Sequence, residues 1–270
     1  MGALDLRLQT TLVTGASAGI GAALSRALAA RGSDLVLVAR REERLHTLAD
    51  ELRRTHGVRV EVVAADLSAP RPGRTLAAEV ARRGLRVTSL VNNAGFGLDG
   101  PFAAEDPDRL QQLVAVDVAA VVDVTRAFLP DLVAAGTGAL VNVTSMAAYQ
   151  PSPGMAAYAA SKAFVLSLTE ALWWETRGTG LRTLAFAPNL TRTEFFDEIG
   201  TEGYRGRYQT PDDVAAALVR ALESGRDPGP STTARRGDRA LVALARLLGR
   251  RTALRAMARI SGDRLLGAST

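Results

Sequence analysis

Cysteine is absent from this 270-residue sequence, which excludes disulfides and thiolate-held metals and permits a reducing compartment. Histidine is nearly absent. His46 and His56, the two that occur, sit in a polar helical segment, leaving little material for a Ser-His-Asp nucleophile or a histidine metal site, so no metal is expected. Lysine is reduced to Lys162, every other basic side chain being arginine. Long apolar runs are missing too. The charge-free residues 132–161 are interrupted by Asn142, Ser145, Gln150, Pro151 and Pro153, which excludes them as a membrane span. Residues 1–10 carry Asp5 and Arg7 ahead of a short apolar patch, the wrong pattern for a signal peptide, so a cytoplasmic location is expected.

What is present suits one compact domain with a large core: 47% hydrophobic and 23% charged residues. The net charge is +5, yet residues 231–270 hold nine arginines against two aspartates, which is +7 and leaves −2 for the rest. The basic balance therefore belongs to a tail, and no nucleic-acid partner is expected. Short β-rich runs at 11–14, 35–39, 59–64, 89–92, 139–144 and 183–187 alternate with helical patterns at 20–31, 42–56, 74–83, 107–134 and 157–177. Most of the strands are continuous apolar runs, as required when both sheet faces are covered. The alternation predicts an α/β fold, a Rossmann-like doubly wound parallel sheet, in residues 1–230. A stretch rich in glycine, proline and serine, 224–233, leads into a basic helical extension over 231–270.

Thr14-Gly15-Ala16-Ser17-Ala18-Gly19-Ile20-Gly21 follows the first strand and opens the first helix. Glycines there permit a tight turn and let backbone N–H groups approach a pyrophosphate, which the helix N-terminus also favours. A purely structural turn is the alternative, since three residues separate the first two glycines where a dinucleotide fingerprint has one. Arg40 and Arg41 end the second strand, where an acidic side chain would read a ribose 2′-hydroxyl and an arginine binds a 2′-phosphate. NADP(H) is the cofactor so favoured, the alternative being two solvated arginines at a helix start. Tyr158 and Lys162 are four apart in a helical segment and share one face. A nearby ammonium stabilises a phenolate, which predicts a lowered tyrosine pKa and easier proton exchange with an alcohol or carbonyl oxygen. Ser145 ends the fifth strand at the ligand-binding edge and can donate to the same oxygen.

The glycine loop, Asp66-Leu67, Asn92-Asn93-Ala94-Gly95, Ser145, Tyr158-x-x-x-Lys162 and the run from Pro188 to Thr193 occur in the order and spacing of a known family. Residues 10–195 resemble the short-chain dehydrogenase/reductase family in its compact single-domain branch. The resemblance implies hydride transfer between nicotinamide C4 and a carbonyl or secondary alcohol. It implies that Tyr158 protonates the substrate oxygen, Ser145 polarises it, and Lys162 holds the nicotinamide ribose while lowering the tyrosine pKa. It further implies that Asp66 and Leu67 line the adenine, Asn93, Ala94 and Gly95 run beneath the cofactor, and Pro188, Thr191 and Thr193 lie by the nicotinamide. Homodimers or homotetramers are common in the family and are expected here.

Three positions depart from the pattern. Asp117 stands where the family has an asparagine supporting a water relay to the catalytic lysine. Asn189 stands where a glycine follows the proline, and is expected to keep the turn by tolerating left-handed backbone. No last strand is recognisable in 231–238. Phe195, Phe196, Ile199, Tyr204 and Tyr208 fall in a segment, 194–210, that reads either as a lid over an apolar substrate or as a surface loop. The tail helix is expected to pack on the protein, with an anionic membrane, a subunit interface or the substrate cleft as its possible partners. A ketoreductase is the main expectation. A non-catalytic dinucleotide-binding regulator or scaffold of the same fold is the competing one, to which Asp117 lends weight.

Overall fold

A computed structural model of the chain describes residues 2–195, 207–247 and 249–261. Seven strands form one parallel sheet: β1 Thr10–Thr14, β2 Asp34–Ala39, β3 Val60–Ala64, β4 Ser89–Asn92, β5 Ala139–Val143, β6 Arg182–Ala187 and β7 Ser231–Thr233. Their order in space is β3-β2-β1-β4-β5-β6-β7. The chain returns to the middle of the sheet between β3 and β4, so a crevice opens at the carboxyl ends of β1 and β4, the place where such sheets bind ligands.

Alternate residues of each strand feed opposite layers. Val13, Leu37, Val141 and Phe186 pack with α1 (Gly19–Ala29), α2 (Glu42–His56) and α7 (Pro211–Glu223). Leu12, Val36, Leu90 and Leu140 pack with α3 (Pro72–Arg82), α5 (Val121–Ala135) and α6 (Ala156–Glu175). Both faces are thereby dry, which accounts for the unbroken apolar runs, and each fully buried leucine contributes about 1.5–3 kcal/mol of transfer free energy.

Four features differ from the sequence expectation. The helix expected over 107–134 is divided: α4 (Pro107–Val114) passes through one wider π-helical stretch, Ala115–Ala120, before α5. Helix α7 was not among the expected helices, although Thr210 and Asp213 form a reciprocal capping box at its start. Arg182 lies inside β6 and not before it, its guanidinium donating to the carbonyls of Ala221, Leu222 and Ser224 at the end of α7. Finally, residues 231–238 do contain a strand, β7, which pairs Ser231–Thr233 with β6 and places Thr232 and Thr233 inside. Beyond it come α8 (Arg236–Leu247) and α9 (Arg250–Ser261). No described helix is long and apolar enough to cross a membrane.

Candidate active site

At the crevice, the turn after β1 requires its glycines. Gly15 has a φ of 68°, and a Cβ there would lie 2.8 Å from Ala94 Cα. A Cβ on Gly21 would overlap the backbone of Gly15 and stand 2.6 Å from Asn93 Nδ2. Asn93 braces this turn by donating from Nδ2 to Thr14 O at 2.9 Å, while Thr14 Oγ1 accepts from the N–H groups of Asn93 and Ala94 at 3.0 Å each. Helix α1 begins at Gly19 behind Ala18, which caps it with no side chain, so its first amides face the crevice without an internal acceptor. These residues fit a dinucleotide: the backbone is kept bare where a pyrophosphate must come close.

A single cavity of about 830 Å³ runs from this turn past the ends of β2 and β3 to the start of α6. Of the residues singled out in the sequence, Gly15, Ser17, Gly19, Ile20, Arg40, Arg41, Asp66, Leu67, Asn93, Ala94, Gly95, Ser145, Tyr158, Lys162, Pro188, Thr191 and Thr193 line it. Gly21 and Asp117 do not; the first packs behind the turn and the second behind Lys162. At the far end, the Asp66 carboxylate accepts from the backbone and hydroxyl of Ser68 at 2.9 and 2.8 Å, bonds that hold its pKa below the ordinary value.

The reactive end is built by three neighbouring elements. Ser145 follows β5 in extended backbone and opens a short 3-10 turn, Met146–Tyr149. Tyr158 stands in the first turn of α6 and shares the cavity wall with Ser145, and Lys162 follows one turn later with Nζ 5.6 Å from the tyrosine ring centroid. Behind them the π-helical stretch carries Asp117 into the interior. Its Oδ2 lies 3.1 Å from Lys162 Nζ, a buried charge pair, and its Oδ1 accepts from Phe96 N at 3.0 Å. Gly95 makes room for the pair, because a Cβ there would sit 2.9 Å from Nζ and 3.0 Å from Oδ2.

Burial governs the titration of this group. Burial raises the Asp117 carboxyl above its ordinary pKa, outweighing the pull of Lys162 and the Phe96 bond. Lys162 is itself depressed by burial, but the charges of Asp117 and Tyr158 more than compensate and its pKa ends above the ordinary value. Tyr158 is also raised: burial outweighs the ammonium and the Ser145 bond, and Asp117 adds to the rise. The lowered phenol expected from the sequence is therefore corrected, because the ammonium acts in the expected sense but is overcome by desolvation and by a carboxylate.

One further correction concerns the loop after β6. Among the described residues other than glycine only Arg71 has a left-handed backbone, so Asn189 does not serve its turn by that conformation. It serves through its side chain, Oδ1 accepting from Leu190 N at 2.8 Å and Nδ2 donating to Asp238 Oδ1 at 3.1 Å. Asp238, buried at the start of α8, was not singled out in the sequence. Leu241, Val242, Ala253, Ala256 and Met257 of α8 and α9 line the cavity, so the described part of the tail packs on the protein and covers the cleft as well. Of the aromatic residues expected over the cleft, Phe195 lines the cavity and packs on Tyr158 with ring centroids 5.3 Å apart, and Tyr208 lies outside it. Phe196, Ile199 and Tyr204 fall outside the described residues.

The chain is similar to proteins already known. Sulfoacetaldehyde reductase 2 of Chromohalobacter salexigens is 41% identical over 187 residues, 68% of this chain and 73% of that protein. A short-chain dehydrogenase from Sphingobium yanoikuyae, solved with NADPH, superposes with a TM-score of 0.78 at 35% identity, covering 89% of this chain and 95% of that one. A bulky-bulky ketone specific alcohol dehydrogenase from Comamonas testosteroni gives a TM-score of 0.75 at 28% identity over 89% and 93% of the two chains. The pattern of the family described as short chain dehydrogenase matches residues 9–203, so this chain belongs to the short-chain dehydrogenase/reductase family of oxidoreductases, which act on small molecules with a nicotinamide dinucleotide.

Proposed function

We propose that the chain is an NADP(H)-dependent ketoreductase acting on a carbonyl or secondary alcohol of an apolar small molecule. The observation that carries this reading is the meeting of Ser145, Tyr158 and Lys162 in one cavity wall beside the glycine turn. The cofactor, when bound, supplies or accepts the hydride at nicotinamide C4. Gly15 to Gly21, Asn93 to Gly95, Thr191 and Thr193 would hold it, with Arg40 and Arg41 toward a 2′-phosphate. In reduction, the Ser145 hydroxyl donates to the substrate oxygen and Tyr158 transfers its proton there, leaving a phenolate that the Lys162 ammonium stabilises. In oxidation the phenolate takes the alcohol proton back. Apolar walls from Phe96, Met155, Leu241 and Met257 support a large apolar substrate.

NADPH consumption across ketones of increasing bulk tests this reading, and bulky apolar ketones are expected to turn over fastest. Absence of turnover with every ketone would sink it and favour the scaffold reading. In the same assay Arg41→Ala is expected to raise the KM for NADPH roughly tenfold, the worth of a charged hydrogen bond, and to spare NADH. Equal effects on the two cofactors would remove the preference for the phosphorylated one.

Asp117 makes a separate prediction about pH. Its charge raises the pKa of Tyr158, and alcohol oxidation needs the phenolate, so Asp117→Asn is expected to move the rising limb of the oxidation profile to lower pH. A pH profile of kcat/KM identical to wild type would show that this side chain has no part in the proton chemistry.

A further inference from the structure

Just beyond β2, Arg41 and Arg44 already hold an anion from the protein itself. Arg41 Nη1 donates to Glu194 Oε2 at 2.8 Å and Arg44 Nη1 to Glu194 Oε1 at 2.6 Å, while Arg41 Nε donates to Ser17 Oγ at 3.2 Å. Glu194 lies 153 residues beyond Arg41 in the chain, so the loop after β6 reaches across the crevice to close this clasp. The hydrogen bonds from Arg41 and Arg44 hold its carboxyl below the ordinary pKa, so it carries its charge at neutral pH. Arg40, Arg41, Ser17 and Glu194 all line the cavity that would take the cofactor.

A carboxylate bridging two guanidinium groups presents two anionic oxygens to paired N–H donors, which is also how a phosphate meets arginine. We propose that Glu194 is a specificity-determining residue whose carboxylate occupies the arginine site that a cofactor's 2′-phosphate takes over. The inference rests on the NADP(H) reading above. A phosphate carrying nearly two negative charges displaces a single carboxylate from Arg41, whereas a cofactor with a plain 2′-hydroxyl offers no anion in exchange and leaves the clasp closed. Glu194 and Arg41 are about half exposed, with side-chain accessibilities of 48% and 45%, so the exchange takes place in contact with water. The next residue, Phe195, is the ring that packs on Tyr158, so the anion site and the reactive phenol are joined by consecutive residues.

Calorimetric titration of the full chain with adenosine 2′,5′-bisphosphate and with ADP, in wild type and Glu194→Gln, tests this. The variant is expected to bind the bisphosphate about three- to tenfold more tightly, the worth of one or two exposed ion pairs, and to bind ADP as wild type does. Bisphosphate binding that is unchanged or weakened, or equal tightening for both ligands, overturns the proposal. If wild type itself fails to distinguish the two ligands, the NADP(H) reading falls and takes the proposal with it. Discrimination that survives while the variant shows no tightening overturns the role of Glu194 alone.

Discussion

Tyr158→Phe is expected to lower kcat for ketone reduction by about 10²- to 10⁴-fold, the range that a positioned proton donor contributes, and to leave cofactor affinity near wild type. The reasoning separates what the hydroxyl does from what the ring does. The ring packs on Phe195 and stands over Lys162, and phenylalanine keeps both contacts. Only the oxygen is lost, and with it its interaction with Ser145 and the proton for the substrate. A typical hydrogen bond contributes about 1 kcal/mol to stability, so thermal melting should fall by a few degrees at most. Steady-state kinetics with NADPH and a turned-over ketone, alongside NADPH titration by fluorescence, read the two effects independently. A variant that reduces ketone as fast as wild type would exclude Tyr158 as the proton donor. A variant that has lost cofactor binding would show that the hydroxyl also holds the cofactor, and the rate would then carry no information about proton transfer.

The reactive group was legible because its parts are close in sequence or bound to strand ends. Tyr158 and Lys162 are one helical turn apart, and Ser145 ends a run of apolar residues that reads as a strand. The six longer strands were legible for the same reason: a sheet buried on both faces demands continuous apolar residues, and few other structures do. Strand β7 has only Ser231, Thr232 and Thr233, with no apolar run to mark it. Its edge position and the burial of two threonines come from pairing with β6, a tertiary event that local pattern does not encode. The π-helical stretch was equally hidden, since its side chains keep an ordinary helical rhythm. That stretch matters because it brings Asp117 to Lys162. Asp238 and Glu194 were missed for a third reason: each meets its partner across a long sequence separation, 49 residues to Asn189 and 153 to Arg41. The direction of the Tyr158 shift was misread because spacing shows which charge is near but not how dry the site is.

Dryness also sets the second large effect. Lys162→Met is expected to destabilise the fold by about 3–5 kcal/mol where the Asp117 carboxyl is ionised, because it removes the partner of a buried charge while keeping the volume of the stem. Asp117 is fully enclosed, and its carboxylate also accepts from the Phe96 amide. Without the ammonium that now lowers it, the Asp117 pKa climbs further above that of the unfolded chain. A group raised in this way favours the folded state below its unfolded pKa and loses that contribution as pH rises through the folded value. The deficit should therefore be smallest in acid and grow toward alkaline pH, which denaturant unfolding at several pH values would display. Adding Asp117→Asn removes the charge itself, so the double variant should regain most of the lost stability and lose its pH dependence. Activity should not return, since no ammonium remains to stabilise the phenolate. A single variant as stable as wild type at every pH, or a double variant no better than the single, would mean that the two side chains are not a charge pair in the folded protein. The raised pKa of Lys162 and the influence of Asp117 on Tyr158 would fall together.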